Sequence, residues 1–357
     1  MTGSPGSALI PPGEVETPCL VIDHRAVRHN LARTATACGG VGRLIPHVKT
    51  HRAPWLITDL MDQGVAAFKT ATPAEVEMVL AAGAREVLWA YPSVNPRAVG
   101  RVLAAARRYP EARLSALVDS RPGIDLWRAA LGTERPPRVG LRLDIDPGLG
   151  RSGVPMGREA RALAGELVEA GLFAGWHLYD GHLHDPDDGK RAAAVGQLAT
   201  DLMAFVGDAD PDPAADIVVA GSYTFDLWPP HACLRVSPGG WIYSSLRHAR
   251  DLSHHEWRQG AYVLATVITA HGVSATLDAG LKAVGSDLPL AERFGWPNGI
   301  MDMTEEHSVV GGAGETPGNR VLLTPGHACT TAYLYSEAWV LGLDGGWQKK
   351  RQMGIER

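Results

Sequence analysis

Short apolar runs alternate with segments of helical spacing along the chain from about residue 43 to residue 240. Such an alternation of strand and helix predicts a parallel sheet, in which each helix returns the chain to the start of the next strand. Eight runs are the number that closes a (β/α)₈ barrel of the TIM type. We therefore predict an α/β fold with such a barrel, whose strands lie within residues 44–48, 66–68, 87–90, 114–118, 139–145, 173–178, 217–220 and 234–236.

The weakest part of this pattern is the connection between the seventh and eighth runs. Residues 222–233 include Pro229-Pro230 and leave room for only a short helix, because proline interrupts the hydrogen bonding of a helix. An open α/β sheet therefore stays as the structural alternative to a closed barrel.

The clearest helix start lies between the second and third runs, at Thr72-Pro73-Ala74-Glu75. A threonine can cap a helix, a proline suits its first position, and the glutamate is placed to close a capping box. Gly83 marks the expected end of this helix.

The pattern of the sequence changes after Gly240: long helical segments are absent, and short apolar runs are separated by turns rich in glycine and proline. We predict a barrel domain over residues 24–250 and a second, mainly β domain over residues 256–357. The N-terminal strand within residues 14–23 is expected to join the second domain. A chain of 357 residues is long enough for these two domains.

Composition excludes several classes of partner. With 34 basic and 39 acidic side chains, the formal net charge is −5, which gives no electrostatic reason to expect nucleic acid or an anionic membrane. No apolar run reaches the roughly 18 residues of a transmembrane helix, and no secretory signal is recognisable. We therefore expect a cytoplasmic protein, and its 4 cysteines are too few to indicate a disulfide framework.

Polar side chains follow nearly every predicted strand. In a barrel enzyme the chemistry lies at the C-terminal ends of the strands. Lys49 stands between His47 and His51 after the first run, and Lys69 follows the second. The fifth run contains Asp144 near its end and is followed by Arg151. The sixth contains His177 near its end and is followed by Tyr179, His182 and His184.

Small residues follow the seventh and eighth runs, where barrels often bind phosphate. Backbone amides can close on phosphate oxygens where no Cβ intervenes. The candidates are Gly221, Ser222, Tyr223, Gly239, Gly240 and Trp241.

These residues resemble the motifs of the D-threonine aldolase/D-serine dehydratase family, which has the alanine-racemase type of barrel and β domain. The lysine motif Pro46-His47-Val48-Lys49-Thr50-His51 is similar to the family's Schiff-base lysine motif. The resemblance spans almost the whole chain through the segments that begin at Thr72, Asp144, Gly150, Tyr179, Asp278, Glu305 and Pro325. The segment from Gly221 is poorer in glycine than the family pattern.

The resemblance implies pyridoxal 5′-phosphate (PLP) bound to Lys49 and a divalent metal beside it. Arg151 resembles the arginine that faces the phenolic oxygen of the cofactor, and Tyr179 is expected to contact the cofactor or the substrate. Acid–base catalysis or metal contact is expected of His177, His182 or His184.

His327 and Cys329 are the expected metal ligands. On an extended segment, residues two apart point to the same face, so both side chains can reach one ion. A thiolate together with an imidazole favours Zn²⁺, with Mn²⁺ or Mg²⁺ as alternatives.

The resemblance implies a small-molecule D-β-hydroxy-amino acid as substrate and a homodimer as the assembly. We favour retro-aldol cleavage to glycine and an aldehyde. The alternative is β-elimination to a keto acid and ammonia, and a second alternative is an amino-acid racemase. An alternative from another class is a cofactor-free metal hydrolase on a barrel, with His47, His51 and an acid as ligands.

Overall fold

The computed structural model describes residues 7–132, 136, 138–208, 215–312 and 314–357. The chain divides into two compact units. The first holds Thr50–Trp55, Gly240–Glu356 and the described part of the first 34 residues, and the second holds Ala35–Lys49, the described part of Leu56–Gly239, and Arg357.

The strands of the described residues are numbered here in chain order. They are β1 (Cys19–Asp23), β2 (Ala67–Thr70), β3 (Glu86–Trp89), β4 (Arg113–Val118), β5 (Val139–Asp146), β6 (Val154–Pro155), β7 (Phe173–Leu178), β8 (Ile217–Val219), β9 (Leu234–Val236), β10 (Ala261–His271), β11 (Ser274–Leu277), β12 (Phe294–Gly295), β13 (Ile300–Met303), β14 (Ser308–Gly311), β15 (Arg320–Pro325), β16 (Glu337–Leu341) and β17 (Trp347–Arg351).

The α-helices are numbered in the same way. They are α1 (His24–Ala37), α2 (Pro54–Asp62), α3 (Pro73–Ala81), α4 (Pro96–Arg108), α5 (Arg121–Leu131), α6 (Arg158–Glu169), α7 (Asp188–Asp208), α8 (Leu246–Asp251) and α9 (Ala328–Ala332). Within the part of the chain that the structure describes, none of them is both long and apolar enough to cross a membrane.

The second unit, called the barrel unit below, is built on a parallel sheet in the order β2-β3-β4-β5-β7-β8-β9, with β6 added to β5. The segment before Lys49 joins both edges of this sheet, because Leu44 forms a parallel bridge with Val236 of β9 and His47 forms one with Lys69 of β2. The ring of eight parallel segments is thereby closed. The predicted α/β fold, a barrel followed by a mainly β domain, is confirmed.

The first segment of the ring is held by isolated bridges, although the sequence predicts a full strand there. Pro46 lies between the two bridges and has no N–H to donate, while its carbonyl accepts from the Lys69 amide at 3.0 Å. The connection between β8 and β9 consists of turns, and no helix lies in it, as its two adjacent prolines suggest.

The barrel interior is apolar in one layer and polar in the next. Side chains of five segments of the ring pack together there, namely Ile45, Ala67, Leu88, Leu117 and Val218. Because side chains two apart share one face of a strand, Lys69 points the same way as Ala67, one layer closer to the C-terminal ends.

Helix α3 starts as the sequence predicts. The Thr72 side chain accepts a hydrogen bond from the Glu75 amide at 3.2 Å, and Pro73 is the first helical residue. The Glu75 carboxylate reaches back to the Ala71 amide at 2.6 Å. Thr72 therefore caps the helix as predicted and satisfies an amide of its first turn. The contact of Glu75 is to the amide of Ala71, which precedes the cap residue.

The first unit, called the β unit below, contains a sheet in the order β13-β14-β11-β10-β1-β16-β17, with β15 paired to β10 and β12. The N-terminal strand β1 lies inside this sheet, antiparallel to β10 and parallel to β16. Alternate side chains of β10 enter two different apolar clusters: Val263 and Ala265 enter one, and Tyr262 and Leu264 enter the other.

A buried ion cluster lies at the N-terminal ends of the barrel strands. Arg142, only 2 % exposed, contacts the Asp216 carboxylate at 2.5 Å and the Ser115 hydroxyl at 3.1 Å. Arg235 bridges the same carboxylate to Glu86. Polar residues at this end of a barrel serve stability, since the chemistry lies at the other end.

Replacing Asp216 with alanine should lower the free energy of unfolding by about 3–5 kcal/mol, because it leaves the Arg142 charge buried without its main partner. Urea denaturation measures this change. Glu77→Ala is the matched control, because it breaks an ion pair with Arg101 whose two side chains are each 42 % exposed and should cost no more than about 1 kcal/mol. Equal effects of the two substitutions would contradict the assignment.

Candidate active site

The predicted catalytic residues of the barrel unit all lie at the C-terminal ends of its strands. Lys49 lies in a 3₁₀ turn, Val48–Thr50, that follows the first segment of the ring. Arg151 follows β5, His177 is the penultimate residue of β7, and Tyr179 comes directly after that strand. Parallel strands of a closed barrel end at one rim, so the fold gathers these residues on one side of the unit.

Lys49 offers an unengaged amine. Its side chain is exposed, and among the described residues no hydrogen bond or ion pair to its amino group is found; only its backbone amide is engaged, donating to His47 Nδ1 at 3.3 Å. An amine without a competing partner suits a lysine that must bond covalently to a cofactor.

His177 forms a buried pair with Asp144. Its Nδ1 donates to the Asp144 carboxylate at 2.6 Å, and the other oxygen of that carboxylate accepts from the Ser152 hydroxyl at 3.0 Å. Burial, followed by the charge of Lys69, lowers the pKa of His177 to about 4. The imidazole is therefore neutral near pH 7, with its proton on Nδ1.

The second nitrogen of His177 is left open. Nε2 is buried and has no hydrogen-bond partner among the described residues. A neutral imidazole whose Nδ1–H is held by a carboxylate presents a lone pair at Nε2, which is the arrangement of a general base.

The ring of Tyr179 lies against two glycines. A Cβ on Gly181 would stand 2.3 Å from its Cε1, and one on Gly221 would stand 3.1 Å from its Cε2. The Arg151 guanidinium lies over the same ring, 4.6 Å from its centroid. The two glycines thus make room for an aromatic ring whose face is occupied by a cation.

Asp180 organises the loop after β8. Its buried carboxylate accepts from the Gly221 amide at 3.1 Å, the Thr224 hydroxyl at 2.9 Å and the Trp228 indole at 2.8 Å. Burial raises the pKa of Asp180 despite these donors. The Gly221 amide, expected from the sequence to contact a phosphate, is thus engaged inside the loop.

The remaining predicted residues differ in their setting. His182 is half-buried, with Nδ1 lacking a partner among the described residues, whereas His184 is exposed and lies edge-on to Tyr223. Gly239 ends the barrel unit, and Gly240 and Trp241 belong to the other unit. Trp241 is fully buried there, and its carbonyl accepts from the Asn30 side chain at 2.9 Å.

The expected metal ligands stand at the start of helix α9. His327 is the N-cap residue with an extended backbone, and Cys329 lies in the first turn of the helix. The expectation that both lie on an extended segment is therefore wrong for Cys329. The thiol also lies 3.2 Å from the hydroxyl of Thr50, the residue that follows Lys49 in the chain.

Asp287 holds the imidazole of His327. His327 Nδ1 donates to one oxygen of the Asp287 carboxylate at 2.5 Å, and the Thr330 hydroxyl donates to the other at 2.7 Å. Metal-binding histidines commonly donate their second ring N–H to a carboxylate, which fixes the ring and its tautomer. A thiol and an oriented imidazole form a donor set that fits Zn²⁺.

Three residues that contact or surround the candidate site residues are not predicted as site residues by the sequence. Asp144 was recognised only as part of a motif, Lys69 only as a strand end, and Asp287 not at all. The spacing in the sequence gives no signal for Asp287, because it lies 40 positions before its partner His327.

A parallel barrel with a free lysine and a buried acid–histidine pair at its C-terminal rim defines a barrel enzyme. The family model "Alanine racemase, N-terminal domain" matches residues 22–247, and "Putative serine dehydratase domain" matches residues 260–341. The chain belongs to the D-threonine aldolase/D-serine dehydratase family with the alanine-racemase type of fold, and it is a PLP-dependent lyase.

Two curated relatives are similar over nearly the whole chain. The 3-hydroxy-D-aspartate aldolase of Paracoccus denitrificans (strain Pd 1222) is 25% identical over 93% of this chain and 90% of its own length. The D-threo-3-hydroxyaspartate dehydratase of Delftia sp. (strain HT23) is 26% identical over 94% of this chain and 96% of its own length.

Solved structures share the fold. D-threonine aldolase from Filomicrobium marinum superposes with a TM-score of 0.81 at 24% identity, covering 96% of both chains. The dehydratase from Delftia sp. HT23 superposes with a TM-score of 0.78 at 23% identity, covering 95% of this chain and 97% of that one.

Replacing Asp287 with asparagine should lower the affinity for Zn²⁺ by about 10–100-fold, because the imidazole of His327 loses the acceptor that fixes its orientation. Equilibrium dialysis against a series of buffered Zn²⁺ concentrations measures the affinity directly. Asp302→Asn in β13 is the control and should bind as the unaltered protein does. Equal affinities in all three proteins would remove Asp287 from the site.

Proposed function

We propose that this chain is a PLP- and divalent-metal-dependent lyase that cleaves D-β-hydroxy-amino acids by retro-aldol reaction, giving glycine and an aldehyde. The observation that carries the choice of reaction is the Asp144–His177 pair, with a base nitrogen left open at Nε2. Retro-aldol cleavage requires removal of the β-hydroxyl proton, and this pair is built to accept one.

The residues of the barrel unit fit the cofactor. Lys49 carries an unengaged amine that can bond to its aldehyde, and Arg151 is the cation expected to face its phenolic oxygen. Tyr179, packed on two glycines, offers an aromatic contact. Within the barrel unit, phosphate contacts are assigned to the loops that contain Gly221, Ser222, Tyr223 and Gly239; Gly240 and Trp241, also expected to contact the phosphate, belong to the other unit.

The metal ligands are assigned to His327 and Cys329, with Zn²⁺ favoured by the donor set. Solved variants of the Delftia dehydratase replace a histidine and a cysteine that are two positions apart, and the cysteine variant is described as metal-free. The same spacing separates His327 from Cys329 and supports a metal at this place. Bound PLP would withdraw electrons from the amino-acid Cα, and the metal would act as a Lewis acid toward the β-hydroxyl.

The protonation state of His177 favours cleavage. His177 is neutral above about pH 4, so Nε2 can receive the hydroxyl proton throughout the neutral range. Asp144 remains hydrogen-bonded to Nδ1 and stabilises the cation that results. His182 is the second candidate for this role.

β-Elimination to a keto acid and ammonia is the second candidate function. It requires removal of the proton on Cα, which the free amine of Lys49 can accept, and the Delftia relative is a dehydratase. A racemase is the third candidate, but it needs a second base on the opposite face of the cofactor. A homodimer and a cytoplasmic location stay predictions.

Product analysis separates the candidates. Purified protein with PLP and Zn²⁺ or Mn²⁺ should convert D-threonine to glycine and acetaldehyde, and D-3-hydroxyaspartate to glycine and glyoxylate, leaving L-threonine unchanged. Pyruvate and ammonia from D-serine, without glycine from D-threonine, would establish the dehydratase instead. Interconversion of D- and L-amino acids without cleavage would establish the racemase.

Replacing His177 with glutamine should reduce kcat for cleavage about 10²–10⁴-fold, the usual contribution of a positioned base. The visible absorption of the bound cofactor should persist, because Lys49 is unaltered. Steady-state kinetics measures the loss, and His184→Gln, at an exposed histidine, is the control. If His182→Gln shows the larger loss, the base is His182.

A further inference from the structure

Lys69 is a buried lysine for which the proposed reaction has no use. It lies on β2, where all four residues are buried, and its side chain is only 3 % exposed. Lysines are rarely buried to this extent without an ionic partner. Its direction, shared with Ala67, takes the amino group into the polar layer of the barrel interior.

The amino group has one hydrogen bond. Nζ donates to the Ser237 hydroxyl at 2.9 Å, and that hydroxyl lies 3.1 Å from the carbonyls of both Val219 and Ala220. An ammonium has three N–H donors, and no second hydrogen-bond acceptor for Lys69 is found in the described part of the chain. The environment therefore satisfies an uncharged amine better than a charged one.

The charges around Lys69 leave it without a dedicated counter-ion. Lys49 and Arg151 contribute positive charge, and Asp144 and Asp180 contribute negative charge. Both carboxylates are already engaged, Asp144 by His177 and Ser152 and Asp180 by the loop after β8. His47 is paired with Lys69 across the strands, and the Tyr179 centroid lies 5.4 Å from Nζ.

These surroundings change the titration of the lysine. Burial is the largest cause and the charge of Lys49 the next, and together they lower the pKa of Lys69 from its usual 10.5 to about 7. An anion that enters the same interior would act in the opposite direction, because an opposite charge favours the protonated amine.

We propose that Lys69 is a positioning residue for the cofactor: its amine is uncharged before cofactor binding and takes up a proton when the anionic cofactor occupies the barrel. This inference rests on the proposed function, because pyridoxal phosphate is the anion that it invokes. The protonated amine then adds a positive charge at the level of Ser237, directly before the Pro238-Gly239 loop.

Proton uptake on cofactor binding tests the proposal. Titration calorimetry in two buffers of different ionisation enthalpy gives the number of protons bound per PLP. The difference between the unaltered protein and Lys69→Met should approach one proton near pH 8 and fall toward zero near pH 6, where Lys69 is already protonated before binding. Protons are exchanged at Lys49 in both proteins, so the decline of the difference between pH 8 and pH 6 is the part that reports the titration of Lys69.

Failure of the proposed function can be distinguished from failure of the proposal for Lys69. If added PLP gives no visible absorption band in either protein, the proposed function fails. If the band forms and proton uptake is the same in both proteins, the role of Lys69 is overturned while the function stands. Cofactor found on Lys69 rather than Lys49 after borohydride reduction would also overturn it.

A second measurement covers the case in which Lys69→Met binds no cofactor. In the cofactor-free protein the unfolded chain binds a proton at Lys69 below about pH 10.5, and the folded chain binds it only below about pH 7. The free energy of unfolding therefore rises with pH across this window. Lys69→Met should flatten that rise and be the more stable protein near pH 7, and an unchanged slope would contradict a neutral Lys69.

Discussion

The register between β5 and β7 is the constraint on which the site depends. These strands are parallel, and their pairing sets Asp144 opposite His177. The register shifts between Leu141 and Arg142, where β7 carries an extra residue. Since a shift of one residue turns every later side chain to the other face, the shift decides whether His177 faces Asp144 or points away from it.

Gly175 makes that shift feasible. Its φ is +120°, and a Cβ there would lie 2.1 Å from the Asp216 carbonyl oxygen. A residue with a side chain would have to move the strand, so the bulge needs glycine. The same Asp216 neutralises Arg142 through its carboxylate. Asp216 therefore has two roles. Its carboxylate belongs to the stabilising cluster at one end of the barrel, and its carbonyl oxygen lies beside the bulge that aligns the acid–histidine pair at the other end.

The sequence predicts those parts of the molecule that depend on local pattern. The apolar runs and the helix cap at Thr72 depend on nearest neighbours, and the structure reproduces them. What depends on distant pairing could not be predicted. Asp287 meets His327 only because two loops of the β unit converge. Pro46 lies inside the first predicted strand, which forms only two isolated bridges. His327 has the extended backbone that the sequence predicts, but it is also the cap of a short helix, and Cys329 lies in that helix.

The two lyase outcomes can be viewed as a choice between two bases in one barrel. Lys49 follows the first segment of the ring, and His177 is the penultimate residue of the sixth, β7. Two strands, β8 and β9, therefore separate them around the sheet. Side chains from such positions enter the barrel mouth from different directions. A substrate whose hydroxyl points to His177 presents Cα–Cβ for cleavage, and one whose Cα–H points to Lys49 presents that bond instead. Under the proposed function the chain would provide a base for either bond, so the orientation in which the amino acid is held would select the reaction.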